Sequence, residues 1–312
     1  MSTPPFKLPS FAKINWSLRV LGRRVDGYHE VRTVLQTVSL HDDLHFAPRD
    51  NEEIQLSCDD PLIPSDKHNL IIRAAKDLRD RCHNRAGATI HLEKRIPAQG
   101  GLGGASSNAA VALLGLAHLW RLDFSATQLM EIGAGLGADI PFFFVGGRAL
   151  ATGIGTEVKA LPDNPKKHLL VIGPNATVPT AEAYKSLRAP ALTTLVGASI
   201  LSSSCSATEF RDTDQDELHN DFEHVIFEIE PEIGRARDAL LRSGASGALL
   251  AGSGSSVFGI FDNQQAQESA LREIQAEAGW RIFPAVTVSR HEYLQALIVT
   301  GVPSFRPSTW KI

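Results

Sequence analysis

The stretch Ile96–Ala110 reads IPAQGGLGGASSNAA, with a strand pattern (Ala88–Glu93) before it and a helix of small residues after it. Gly100, Gly101, Gly103, Gly104 and the two serines Ser106 and Ser107 make the connection. Glycine lets a backbone approach a ligand closely and adopt positive φ. A helix opening straight after such a loop presents unpaired N–H groups and the positive end of its dipole, which suits phosphate. The serine hydroxyls could cap the helix, bind phosphate oxygens or meet a metal. The plainer alternative is a tight connection whose serines only cap. Two common phosphate motifs are excluded. No Gly-Lys-Ser/Thr follows the loop, and the glycine spacing with an acid about 20 residues on, expected of a dinucleotide fold, is missing.

Working outward, Ser106–Trp120 puts Ala110, Leu113, Leu114, Ala117 and Trp120 on one face, a helix with a buried side. Ser125 and Gln128 form a capping-box start for a further helix, stopped at Gly135 or Gly137. Arg148–Ala160 reads as a hairpin around Gly153 and Gly155. Upstream, Ala12–Val20, Val31–Leu40 and Asp43–Ala47 carry strand patterns, and Asn69–Cys82 is an amphipathic helix. Pro162–Lys167 suits a domain boundary. Beyond it, His168–Ile172 is a strand, Ala181–Leu187 a short helix and Ala189–Ser206 a loose surface stretch. Glu217–Glu228 and Ile233–Ser243 read as helices, Ala248–Phe261 as strand, glycine turn and strand, and Arg281–Ser289 as a closing strand. Strands and helices without strict alternation predict an α+β fold rather than a doubly wound sheet.

Composition narrows the function. A chain of 312 residues holds one large or two medium domains. A net charge of −4 offers no basic face for nucleic acid. No apolar run reaches the roughly 18 residues that cross a bilayer. The opening MSTPPFKLPS has no apolar core and reads as a short tail rather than a secretory leader. Cys58, Cys82 and Cys205 match no metal or disulfide pattern, which fits a reducing cytoplasm.

Three other stretches bear on chemistry. Lys13 and Asn15 stand on an otherwise apolar strand in AKIN (Ala12–Asn15), followed by DGYH (Asp26–His29). Asp139 sits in LGADIPFFF (Leu136–Phe144), where position alone favours a helix cap. Gly252, Ser253, Gly254 and Ser255 lie in ALLAGSGSSVFGIF (Ala248–Phe261), which by itself could equally be a glycine hairpin.

Together these resemble the motifs of the GHMP kinases, in the same order and spread over most of the chain. Pro97 with GLGGASS (Gly101–Ser107) is similar to their second motif, with Ala105 where glycine is often seen. The AKIN and DGYH runs resemble the members whose acceptor is a methylerythritol unit bearing a cytidine diphosphate. His219–Asp221 looks like a family Asn-Asp segment and reads as structural.

The resemblance implies a two-domain GHMP fold with the active site in the cleft between the domains. Residues 1–161 would form a ribosomal-protein-S5-like nucleotide domain, 162–298 an α/β-sandwich domain and 299–312 a tail. It implies ATP-dependent phosphorylation of the substrate's 2-hydroxyl, a step in non-mevalonate isoprenoid precursor synthesis. Asp139 would be the general base, and Lys13 would orient the hydroxyl and balance charge. The loop Pro97, Ala98, Gln99, Gly100, Gly101, Leu102, Gly103, Gly104, Ala105, Ser106 and Ser107 would hold ATP. Mg²⁺ is expected with the nucleotide, with Ser107 as one ligand. Tyr28 would stack on cytosine, His29 would bond its edge and Tyr184 would close the other face. Asn15, Gly252, Ser253 and Gly254 complete the substrate side.

Overall fold

The computed structural model describes residues 3–83, 85–192 and 217–298. Two long antiparallel strands, β1 (Phe6–Arg23) and β2 (His29–Arg49), form its spine. The other edge of β2 is shared by β4 (Gly87–Glu93), alongside Asp43–Arg49, and β5 (Arg148–Thr152), alongside Thr33–Gln36. β3 (Ile54–Cys58) adds in parallel to β4, and β6 (Glu157–Ala160) closes the expected hairpin with β5. The second sheet runs β11 (Arg281–Val286), β7 (His168–Gly173), β10 (Val257–Phe261) and β9 (Gly247–Leu250), antiparallel throughout.

The apolar pattern of β7 shows how the layers stack. Leu169 and Val171 join a cluster with Ala12, Ile14, Val38 and Phe258, which glues the two sheets together. Leu170 and Ile172 face the opposite way, into a cluster with helical Ala183, Ile226, Ile233 and Leu240. A strand buried on both faces reads as a continuous apolar run, as HLLVIG does. The helices of that outer layer are α5 (Thr180–Leu187), α6 (Glu223–Ile229), α7 (Pro231–Arg242) and α8 (Gln264–Glu273). On the first sheet's other face lie α1 (Leu70–Arg81), α2 (Gly104–Leu119) and α3 (Ala126–Leu136). Short α4 (Phe142–Val145) and α9 (Arg290–Ala296), the last helix among the described residues, return to the same cluster through Phe142, Phe143, Phe144 and Tyr293.

Local chemistry explains the element ends. Asn69 caps α1 by accepting from Ile71 N, and Arg79 and Arg81 meet the negative end of its dipole. The capping box of Ser125 and Gln128 opens α3, and Gly137 ends it.

Several expectations need correction. Val31–Leu40 and Asp43–Ala47 are one strand, because the backbone ladder continues through polar His41 and Asp42. α2 is buried all round rather than on one face, since sheet, α1 and α3 surround it, and Trp120 lies beyond its end. Glu217–Glu228 is not one helix: β8 (His219–Asn220) pairs in parallel with Ser17 and Leu18, and α6 starts at Glu223. The closing strand stops at Val286, and Ser289 instead caps α9. Most of the stretch expected to be loose, Ala189–Ser206, lies outside the described residues, as do Cys205 and the tail 299–312.

Candidate active site

Lys13 and Asn15 are two residues apart on β1 and therefore share a face. Both are buried, and Lys13 Nζ donates to Asn15 Oδ1 at 2.8 Å. Asn15 Nδ2 donates to Thr33 Oγ1 at 2.7 Å, and Thr33 in turn donates to Ser17 O at 2.7 Å. This chain of bonds fixes the ammonium group from below. From the glycine loop, Gly101 O accepts from Nζ at 2.8 Å, and Lys13 N donates to Leu102 O at 2.9 Å. Asp139, in the turn before α4, brings Oδ2 to 3.6 Å from Nζ, with 42% of its side chain exposed. A buried cation thus faces a half-open carboxylate at the mouth of the loop.

The loop is held at both ends. Buried Asp42 accepts from Arg95 N and Ile96 N, each at 2.7 Å, from Lys94 Nζ at 3.0 Å and from Asn108 Nδ2 at 3.1 Å. That knot joins β2, the start of the loop and the first turns of α2. Gly103, the N-cap of α2, has φ +71°, and a Cβ there would lie 2.9 Å from both Lys13 Cγ and Phe143 Cζ. The first-turn amides of α2 have no partner within the helix.

These groups open on a cleft of about 830 Å³. Of the loop, Gly101, Gly103 and Ser106 line it. Pro97, Gly100, Leu102, Gly104 and Ser107 are buried behind the wall, and Ala98, Gln99 and Ala105 are exposed outside it. Ser107 Oγ accepts from Ser10 Oγ at 2.8 Å, in a fully buried pair. That hydroxyl is committed to the core and Ser106 is the one presented to the cleft, so Ser107, expected as a metal ligand, does not reach the cleft. Gly252 and Ser253 also line the cleft, whereas Gly254 does not. Asn220 supports that turn by donating to Leu250 O at 2.9 Å and Gly252 O at 2.8 Å, which gives the His219–Asp221 segment its place in the fold.

At the far end of the cleft, the turn between β1 and β2 presents Tyr28 and His29. Asp26 Oδ1 accepts from Tyr28 N at 3.0 Å, and Arg24 N donates to Tyr28 O at 2.7 Å. Tyr28 is 62% exposed, an aromatic face with little packed on it. The His29 ring stacks on Tyr184 at 4.7 Å, and Tyr184 meets Phe222 edge-on at 4.8 Å. One face of Tyr184 is therefore occupied by His29. Burial, and then the charge of Arg23, lower the His29 pKa. Burial, and then the charge of Asp139, push the Tyr184 phenol up to about 12.

Sequence reading missed Thr33, Thr180, Arg23, Lys185 and Arg188, which also line the cleft. Thr180 Oγ1 lies 3.2 Å from Ser253 Oγ and links α5 to the glycine turn. None of them carries a local motif; only the fold gathers them. Among the described residues, the cleft wall sets Lys13, Arg23, Lys185 and Arg188 against one carboxylate, Asp139. That balance favours polyanionic ligands.

Comparison with known proteins agrees with this picture. The family profile of the GHMP kinases N terminal domain matches residues 69–147, and that of the GHMP kinases C terminal matches residues 206–279. The 4-diphosphocytidyl-2-C-methyl-D-erythritol kinase of Syntrophus aciditrophicus is 42% identical over 280 residues, 89% of this chain and 97% of its own. That of Syntrophotalea carbinolica is 41% identical over 278 residues, with the same coverage. A crystal structure of 4-(cytidine 5'-diphospho)-2C-methyl-D-erythritol kinase superposes with a TM-score of 0.72 at 31% identity, covering 90% of this chain and 99% of that one. A homoserine kinase from Cytophaga hutchinsonii, 17% identical with a TM-score of 0.68, shares the fold. Family profiles on both halves, and relatives about two-fifths identical across nine-tenths of the chain, lead to one assignment: the chain is a small-molecule kinase belonging to the GHMP kinases, in the family of the 4-diphosphocytidyl-2-C-methyl-D-erythritol kinases.

Proposed function

We propose that this kinase transfers the γ-phosphoryl group of ATP to the 2-hydroxyl of 4-diphosphocytidyl-2-C-methyl-D-erythritol, a step in non-mevalonate isoprenoid precursor synthesis. The observation that carries the reading is the Lys13–Asp139 pair, 3.6 Å apart at the mouth of a glycine loop and in one cleft with Tyr28 and His29. Phosphoryl transfer asks the protein to position and neutralise more than to form bonds. Asp139 accepts the hydroxyl proton as the new P–O bond forms. Lys13, already oriented by Gly101 O and Asn15, stabilises the charge that develops on the transferring group. Gly101, Gly103 and the opening of α2 cradle the phosphates of ATP, with the rest of Pro97–Ser107 as the frame behind them.

The ligands suit the donor set. Among the described residues no group of three His, Cys, Asp or Glu could hold a metal, so Mg²⁺ would rest mainly on phosphate oxygens, with Ser106 as the protein hydroxyl beside it. When bound, it would supply charge neutralisation on the phosphates. Tyr28 stacks on the cytosine, and His29 meets its edge. Tyr184 acts through His29, whose ring it backs, rather than by closing the second face of the base. Asn15, Gly252 and Ser253 form the floor under the methylerythritol unit, with Gly254 in the turn behind them.

The division into 1–161 and 162–298 belongs to the same reading. It is supported by the passage from the first sheet to the second between β6 and β7, although β8 and α9 cross back.

An ADP-release assay offering the cytidine-diphosphate substrate beside mevalonate and homoserine tests the assignment. Turnover confined to the first is expected. Comparable turnover of either alternative, or none with the cytidine substrate, would overturn it.

A further inference from the structure

The segment carrying Asp139 runs into α4, a helix of only four residues, Phe142–Val145. So short a helix closes few internal hydrogen bonds, and its last carbonyls have no partner within it. Its donors come from α9, about 150 residues further along the chain. Tyr293, fully buried, donates its hydroxyl to Phe143 O. Arg290 directs Nε to Val145 O at 3.3 Å and Nη2 to Gly146 O at 3.5 Å and Arg148 O at 2.6 Å. Phe143 also faces the reaction centre, for its ring and the Lys13 side chain converge on Gly103. A single residue thus takes the α9 bond on its carbonyl and sets its ring against Gly103 of the glycine loop, on which the Lys13 side chain also packs.

α9 is itself firmly held. Ser289 and Glu292 form a capping box, Lys166 Nζ pairs with Glu292 Oε1 at 2.8 Å, and Gln36 Nε2 donates to Val288 O at 2.9 Å. Burial pushes the Tyr293 phenol far above the ordinary tyrosine value, so it stays a donor at any working pH. Both family profiles end before this helix.

We propose that Tyr293 is a positioning residue for phosphoryl transfer: through the Phe143 carbonyl it holds the Asp139–Val145 segment where Asp139 faces Lys13 across 3.6 Å. The proposal rests on Asp139 being the base. Tyr293→Phe keeps the ring in the core and deletes only the donor. Turnover, both KM values and the melting temperature are measured for Tyr293→Phe, Asp139→Asn and the double variant.

A small shift of reacting groups is costly, so kcat should fall about 10- to 100-fold in the parent background while both KM values stay within about twofold. In the Asp139→Asn background, Tyr293→Phe should cost nothing further, because residues acting as one unit are not additive. Arg290→Lys, which keeps a charge but loses the fork of donors, should repeat the pattern more weakly and serves if Tyr293→Phe fails to fold. Equal losses in both backgrounds, or KM rising together with the fall in kcat, would mean a merely structural Tyr293 and overturn the proposal. Near-wild-type kcat for Tyr293→Phe with Asp139→Asn inactive overturns it alone. Near-wild-type turnover by Asp139→Asn overturns the base assignment and the role given to Tyr293 with it.

Discussion

Gly101 sits where the two glycine turns touch, and replacing it with alanine measures how much that contact contributes. Its φ is +73°, and a Cβ there would lie 1.9 Å from Ala251 O and 2.9 Å from Gly254 O. Both are backbone atoms, which cannot swing aside as a side-chain tip can. A left-handed L-residue costs about 1–2 kcal/mol, and overpacking a filled site adds about 1–3 kcal/mol. Gly101→Ala should therefore destabilise the fold by about 2–5 kcal/mol, read by denaturant unfolding. The same movement displaces the Gly101 carbonyl that accepts from Lys13 Nζ at 2.8 Å. A misplacement of roughly an ångström costs about 100-fold, so kcat/KM in the ADP-release assay should fall by that order. Gly244 provides the control. Its φ is +89°, with nothing within 4 Å of an added Cβ, so Gly244→Ala should show the backbone strain alone and normal activity. If Gly101→Ala matches Gly244→Ala in stability and keeps kcat/KM within about threefold of the parent, the contact between the turns does not support the site.

Lys13→Met should lower kcat by roughly 100-fold or more while ATP still binds by calorimetry, because in the proposed mechanism the lost charge acts on the transferring group. Unchanged kcat would remove Lys13 from the chemistry. Tyr28→Ala removes an exposed ring, so stability should change by no more than about 0.5 kcal/mol, while the KM for the cytidine substrate rises roughly 5- to 150-fold and that for ATP holds. His29→Ala should weaken discrimination between cytidine and uridine analogues, and normal substrate KM in both variants would sink the cytidine assignment. The lowered pKa of His29 means that the unfolded chain takes up its proton more readily. Its contribution to stability is therefore present above the unfolded value of about 6.5 and lost as pH falls through the lower folded value. Unfolding free energy measured against pH should carry an acid-side slope that His29→Gln removes. An unaltered slope would show that the group does not titrate as the geometry implies.

Much of the fold was legible because local chemistry and global packing agree in it. The capping box at Ser125 and the asparagine ahead of α1 mark their helix starts in plain sequence. The β5–β6 hairpin follows from its two glycines. α8 and α9 also carry readable signals, Asn263 and the Ser289–Glu292 box, which sequence reading passed over. β8 had no such signal. It is two residues long and exists because Ser17 and Leu18 offer it an edge, and partners distant in sequence leave no periodicity to detect.

The site divides in the same way. The glycine run and the lysine on an apolar strand were visible because each departs from what an ordinary loop or strand would carry, whereas Asp139, whose position alone suits a helix cap, stood out only through the resemblance to the GHMP kinases. Sequence by itself determined the residue types that can approach, neutralise and deprotonate. Only the tertiary structure decided that Ser106 rather than Ser107 reaches the cleft, that Tyr184 backs His29, and that Arg23, Lys185 and Arg188 share one wall. The reason is geometric. Which of two adjacent helix residues faces a ligand depends on a rotation of about 100° per residue, and that rotation is set by whatever the helix packs against. For α2 those neighbours are a sheet and two helices contributed by segments on both sides of it in the chain.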